Sequence, residues 1–184
     1  MSPAEFDRQP TLIGKRLVLR PLRADDWDAL HAVASDPEIW AQHPIHDRWR
    51  EPVFRAFFGD ALAAGGALVA QSKPDGCILG SSQFRACPLA PGEIEIGWTF
   101  LARDCWGRGL NPEMKRLMLG HALSVFPRVL FRIGEHNLRS RTAIEAVGGV
   151  LIDLVEDGEY QGKAVRHVTY AIDRAGFAEG PLGR

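Results

Sequence analysis

The sequence predicts a mixed α/β (α+β) fold, one central sheet with helices on its faces. Three observations predict it. Apolar residues alternate with a period of two in several short runs and recur every three to four residues in others. The runs interleave in the order strand, helix, helix, three strands, helix, strand, helix, strand, strand. The chain has 184 residues, 46% apolar and 24% charged, which suits one globular domain with a sizeable core.

The elements follow in chain order. Residues 1–10 are polar and are expected to be flexible, and residues 11–174 form the single domain. Leu17, Val18 and Leu19 centre a first strand within 12–22. Asp25 and Asp26 offer an N-cap carboxylate to a helix over 25–35, with Trp27, Leu30, His31 and Ala34 at helical spacing. Residues 40–50, WAQHPIHDRWR, read as an irregular loop. A helix over 51–64 carries Phe54, Phe57, Phe58, Ala61 and Leu62 on one side and stops at Gly65-Gly66. Strands over 67–71 and 77–86 form a hairpin about Lys73-Pro74-Asp75-Gly76. The strand over 93–101 sets Ile94, Ile96, Trp98 and Phe100 against Glu93, Glu95, Gly97 and Thr99 on opposite faces, and Gly97 marks a bulge or a close backbone approach. Pro112 suits the first turn of the next helix, whose Met114, Leu117, Met118, Ala122 and Val125 form one buried face. A strand over 128–133, a helix over 138–147 capped by His136-Asn137, and a hairpin of 150–155 with 164–172 complete the domain. Residues 175–184 read as a frayed tail.

Charge and composition exclude several classes of function. A net charge of −1 gives no bulk attraction to nucleic acid or to an anionic membrane. No apolar run approaches the ~20 residues of a spanning helix. The start of the chain lacks the order of a signal peptide. Three cysteines without a C-x-x-C indicate neither a disulfide framework nor a zinc site, and a cytoplasmic location is expected. His43, His46 and Asp47 could be taken for a metal cluster, but a third well-placed ligand is missing and Pro44 opposes a shared helical face. Trp40, His43, His46 and Trp49 fit a substrate-binding rim better, since each has an apolar body and a polar tip.

The stretch WTFLARDCWGRGLN (98–111) concentrates the chemistry. Gly107 and Gly109 let the backbone turn tightly between a strand and a helix. Unpaired N–H groups at that helix start are a place for an anion, although an ordinary strand-to-helix turn has the same pattern. A dinucleotide fingerprint fails because Pro112 holds the third glycine position, and no Walker lysine follows.

EIGWTFLARDCWGRGLNPEMKRLMLGHAL followed by HNLRSRTAIEAVGG resembles the coenzyme A core of the GNAT acetyltransferases, and within them the branch that acetylates N-termini of ribosomal proteins. The resemblance runs from RLVLRPLRADDWDAL to HVTYAI. It implies a mostly antiparallel sheet with a V-shaped splay between two central strands. It also implies acetyl-CoA as co-substrate, no metal, and an acceptor that is a small-molecule amine or a peptide N-terminus, on a monomer or homodimer. The implied cofactor contacts are Thr99, Phe100 and Leu101 along the splayed strand, then Trp106, Gly107, Arg108, Gly109, Leu110 and Asn111 at the pyrophosphate, and Asn137 at the pantetheine arm. Two positions depart from the family pattern. Asp104 stands where Gln or Arg is usual, and Ile144 stands where many relatives carry the tyrosine that protonates the leaving thiolate.

Direct acyl transfer needs a neutral amine, so a base or an ordered water must take a proton. Glu95 is the first candidate base and Glu93 the second. Ser140 is the remaining hydroxyl for the acid role, and helix capping is its plain structural alternative. Cys105 has no evident base partner and is not expected to be a nucleophile. The alternative function is a catalytically weak coenzyme A-binding module, and an α/β binding protein without coenzyme is a third reading.

Overall fold

The computed structural model describes residues 5–183. Its centre is an eight-stranded sheet. The strands are β1 (Leu12–Ile13), β2 (Leu17–Pro21), β3 (Ala67–Ser72), β4 (Ile78–Ala86), β5 (Ile94–Leu101), β6 (Arg128–Gly134), β7 (Val150–Tyr160) and β8 (Lys163–Asp173), and they lie in the order β1-β2-β3-β4-β5-β6-β8-β7. Only β5 and β6 run parallel; the other neighbours are antiparallel. The helices are α1 (Trp27–Ala34), α2 (Pro37–Trp40), α3 (Glu51–Ala64), α4 (Leu110–Leu123), α5 (Leu138–Glu145) and α6 (Arg174–Glu179). This is the mixed sheet that the sequence pattern predicts, mostly antiparallel as the family resemblance implies.

Two apolar cores form on the sheet. Met114, Met118, Leu119 and Ala122 of α4 pack with Leu17, Ile94, Ile96 and Val129 in one. Leu30 and Ala34 of α1 and Phe54, Phe57 and Phe58 of α3 pack with Val69 and Phe100 in the other. Phe100 thus belongs to a different core from Ile94 and Ile96, against the simple alternation read from the sequence. A bulge explains the change of phase. Ser81 pairs with Phe100 and Gln83 with Gly97, so Trp98 and Thr99 both oppose Ser82. Trp98 takes a left-handed φ of 52° there, rare for a residue with a Cβ.

The splay between β5 and β6 is explicit in the register. They pair only at Ile94 with Val129 and Glu95 with Leu130, then separate. Beyond Glu95 the β6-facing edge of β5 has no strand partner.

Three segments differ from expectation. Phe6 is buried, its ring edge-on to Phe84 at 5.4 Å and to Phe126 at 5.0 Å, so an aromatic anchor docks part of the segment expected to be flexible; residues 1–4 lie outside the described residues. The expected frayed tail begins as α6, capped by Asp173, whose carboxylate accepts the Gly176 N–H at 2.7 Å; Phe177 and Leu182 pack on the core. The last hairpin is longer than 150–155 with 164–172, because Asp157-Gly158 pairs within the ladder and the chain turns at Gln161-Gly162, both with positive φ.

Candidate active site

A cavity of about 530 Å³ opens where β5 and β6 diverge. Ile96 to Leu101 of β5 form one wall and Phe131 to Gly134 of β6 the other. Gly107, Gly109 and Asn111 lie at its α4 end, and Trp40 at the end of α2, with His43 and Arg48 from the segment that follows it, line it as well.

The α4 end is a backbone cradle. Gly107 and Gly109 have φ of 69° and 74°, and Gly109 is the residue before the first turn of α4. The first-turn N–H groups of Leu110 and Asn111 have no acceptor within the helix. Arg16, from the start of the chain, holds the cradle's carbonyls. Its guanidinium donates to Arg108 O at 2.6 Å and Gly109 O at 2.7 Å, while its Nε pairs with Glu113 at 2.8 Å. With the carbonyls turned toward Arg16, the N–H groups remain for an anion, and a cation stands beside it. Sequence reading did not single out Arg16, which lies 92 residues from the carbonyl it holds.

Asp104 sits in a short 3-10 turn, Arg103–Cys105, is exposed, and does not line the cavity. Arg103 is spent on Asp36 at 2.9 Å. Cys105 does line the cavity. Burial first, and then Asp104, push its thiol up to about 11, so it stays protonated and is no nucleophile.

Of the residues expected at the cofactor, Thr99, Phe100, Leu101, Trp106, Gly107, Gly109, Asn111 and Asn137 line the cavity. Arg108 and Leu110 do not: Arg108 is exposed and Leu110 packs toward the core, which leaves only their backbone to contribute. Asn137 caps α5, its Oδ1 accepting the Ser140 N–H at 3.2 Å, and Ser140 and the buried Ile144 line the cavity as well. Trp106 is held by its Nε1 donating to Leu101 O at 3.1 Å, and Arg139 stacks on its ring at 4.3 Å. The Arg139 guanidinium also donates to the carbonyls of Glu38 and Ile39, which ties α5 to α2 across the cavity.

Both candidate carboxylates are paired and lie off the cavity. Glu95 is only 2% exposed and does not line the cavity. Its carboxylate accepts from Arg132 Nε at 2.7 Å, and Arg132 also pairs with Glu156 at 2.6 Å. Burial raises the Glu95 pKa while Arg132 works against that rise. A carboxylate already held by a guanidinium is poorly placed to receive a proton from a substrate. Glu93 is likewise paired, with Arg128 at 2.6 Å, and lies off the cavity. In the expected substrate rim, Trp40 and His43 line the cavity, whereas His46 and Trp49 do not. Trp49 is 37% exposed and Arg50 lies over its ring. The reason is the docking of the segment: Asp47 accepts from Tyr160 Oη at 2.6 Å and Gln161 Nε2 at 2.9 Å on the β7–β8 hairpin, and this tether turns Arg48, not its neighbours, inward.

Three further polar residues line the cavity and were missed in the sequence. His167 faces in from β8, and burial lowers its pKa below the ordinary histidine value, so it is neutral at pH 7. Arg48 is 6% exposed, lies over the rings of Trp40 and Phe57, and is pushed down to about 10 by burial. Lys115, one turn into α4, is buried; its Nζ donates to Thr99 Oγ1 at 2.7 Å in the bulge, which itself lies 2.8 Å from Ser82 Oγ. Burial alone lowers Lys115 to about 7. A binary pattern cannot mark these residues, because each lies on a segment whose neighbours look like ordinary surface or core. Among the described residues, no group of histidine, cysteine and carboxylate side chains is placed to hold a metal ion, and no helix is long and apolar enough to cross a membrane.

Comparison with known proteins agrees with this geometry. Residues 16–150 match the family described as the acetyltransferase (GNAT) domain. The chain therefore belongs to the GNAT acetyltransferases. Among solved structures it is similar to a GCN5-related N-acetyltransferase from Brucella melitensis (18% identity, 95% of this chain and 82% of the other, TM-score 0.79). An acetyltransferase from Agrobacterium tumefaciens str. C58 aligns at 23% identity over 90% and 95% of the two chains, with a TM-score of 0.64. Spermidine N-acetyltransferase from Vibrio cholerae, solved with CoA and spermine, aligns at 14% identity over 88% and 98%, with a TM-score of 0.64.

Proposed function

We propose that the protein transfers the acetyl group of acetyl-CoA to a primary amine by direct attack. One observation carries the reading: the Gly107–Gly109 cradle and the unpaired edge of β5 open into one continuous cavity. The cradle N–H groups over 107–111 hold the pyrophosphate. Thr99, Phe100 and Leu101 present backbone to the pantetheine arm, which lies in the splay as an extra strand would. Asn137 borders the same arm. A splay-facing N–H of β5 donates to the oxyanion as the carbonyl carbon becomes tetrahedral.

The proton of the attacking amine goes to His167. Of the other basic side chains in the cavity, His43 is pushed down to about 3, and Lys115, lowered to about 7, has its Nζ committed to Thr99 Oγ1, which leaves the neutral His167 imidazole. Ser140 is the hydroxyl available to protonate the departing thiolate. The acceptor is a small-molecule amine or, as in the ribosomal-protein branch that the sequence resembles, a peptide N-terminus. A second reading, a coenzyme A-binding module with weak catalysis, is favoured by Ile144 in place of a tyrosine and by the pairing of Glu95.

Thermal shift with acetyl-CoA, followed by thiol release and product mass spectrometry over a panel of amines and peptides, tests both. A stabilised protein and an acetylated amine are expected. No shift at saturating acetyl-CoA overturns both readings, and a shift with no product from any amine overturns the first.

A further inference from the structure

The acceptor end of the cavity carries a feature that a simple amine does not explain. No carboxylate among the described residues lines the cavity, whereas Arg48, Lys115, Arg132 and Arg139 do. Arg132 is neutralised by Glu95 and Glu156, Arg139 is spent on carbonyls, and Lys115 is committed to Thr99. Arg48 differs. It is nine-tenths buried, its Nε has no hydrogen-bond partner, and the nearest acid in sequence, Asp47, gives both oxygens to Tyr160 and Gln161.

Its neighbour sharpens the point. The Ile45 N–H donates to Nδ1 of His43 at 2.9 Å, which leaves the proton of the neutral ring on Nε2. Nε2 lies 3.3 Å from Arg48 Nη1. Two donors therefore meet at the cavity wall with no acceptor between them, and a buried guanidinium left without an anion is costly. Trp40 and Phe57 cover it with their ring faces, which excludes water and strengthens any ion pair formed there.

We infer that Arg48 and the Nε2–H of His43 form the seat for a carboxylate borne by the acceptor itself, so that the substrate is an amino acid or a similar small carboxylated amine. This rests on the acetyltransferase reading. A planar guanidinium takes a carboxylate by two parallel bonds, and His43 adds a neutral donor without adding charge. A polyamine has no anion for this seat and would bring its second cation toward Arg48.

The test compares the twenty amino acids with their α-amides as acceptors, with thiol release as the readout. The amide keeps the amine and the side chain and removes only the anion. Its amine is also less basic, so more of it is neutral, and any preference for the free acid comes from the carboxylate. At least one free acid is expected to exceed its amide in kcat/KM by about 100-fold or more. Arg48→Met should erase that preference, mainly through KM, while Arg48→Lys retains part of it and both variants still bind acetyl-CoA. Amides, polyamines or peptides turned over better than every free acid by the wild-type protein would overturn the inference and leave the acetyltransferase reading standing. So would a preference for the acid that survives in Arg48→Met. Loss of acetyl-CoA binding by the wild-type protein would instead defeat the acetyltransferase reading.

Discussion

Backbone forms the cavity's α4 end, whereas side chains from separate segments form the end under residues 41–50. At the α4 end two glycines with positive φ, a helix start and an unpaired strand edge supply donors whose positions depend little on side-chain identity. At the other end, His43 and Arg48 from one loop, Arg132 from β6 and His167 from β8 converge. A backbone site suits a ligand shared by many relatives, while a side-chain site changes with single substitutions. The contrast teaches where specificity resides: the donor is set by the fold and the acceptor by the residues hung on it.

The sharpest way to break the donor end is Gly109→Glu. The new side chain would need φ near 74°, its Cβ would stand 3.3 Å from Arg16 Nη2, and its charge would oppose the pyrophosphate. Acetyl-CoA affinity measured by titration calorimetry should fall at least about 100-fold, near 2.7 kcal/mol. Normal affinity would remove the cradle from the account.

His167→Gln addresses the reacting end. A lost general base should lower kcat/KM about 100-fold while acetyl-CoA binding is kept. In the wild-type protein, the imidazole must be neutral to accept a proton. Activity should therefore fall as pH drops through a value below the ordinary histidine pKa, because burial favours the uncharged ring. An acidic limb that persists unchanged in His167→Gln would place the base elsewhere.

Glu95→Gln separates structure from chemistry on the same wall. It leaves the largely buried Arg132 with Glu156 as its one carboxylate partner. Denaturant unfolding should show a loss of ~1–3 kcal/mol, with kcat within a few-fold of wild type. A large fall in kcat without a fall in stability would return Glu95 to the catalytic role that the sequence first assigned to it.

Lys115→Met acts on the pH dependence of stability and leaves the cradle and the proposed base in place. The folded state releases the Lys115 proton near 7 and the unfolded chain near 10.5. Below 7 both states are protonated, and the cost of the buried ammonium is fully present. Between these values the unfolded state binds more proton, so stability climbs with pH, and above them the contribution is flat. The variant should lack this climb. An identical climb in both proteins would mean that Lys115 stays charged when folded.

Much of the fold was legible because strand and helix periods are written in residues close together in the chain. The run 94–101 and the glycines at 107 and 109 revealed the donor end, since φ-permissive residues between a strand and a helix leave a local mark. The bulge was half legible: Gly97 pointed to it, but the phase change that moves Phe100 into the second core depends on pairing with Ser82. Arg16 and Arg48 were not legible. An arginine near the N-terminus and one in a loop of charged residues look solvated until the fold brings Gly109 carbonyl to the first and Trp40 and Phe57 to the second. The pairing of Glu95 was not legible for the same reason, because its partner Arg132 lies 37 residues away on a neighbouring strand.

A crystal structure of the protein with coenzyme A would show directly whether the cradle and the splay hold one ligand. Pyrophosphate oxygens are expected on the N–H groups of residues 107–111, pantetheine along the unpaired edge of β5, and the sulfur beside the Trp98–Thr99 bulge. Coenzyme A bound outside the β5–β6 splay, or with its pyrophosphate away from Gly107 and Gly109, would contradict that arrangement.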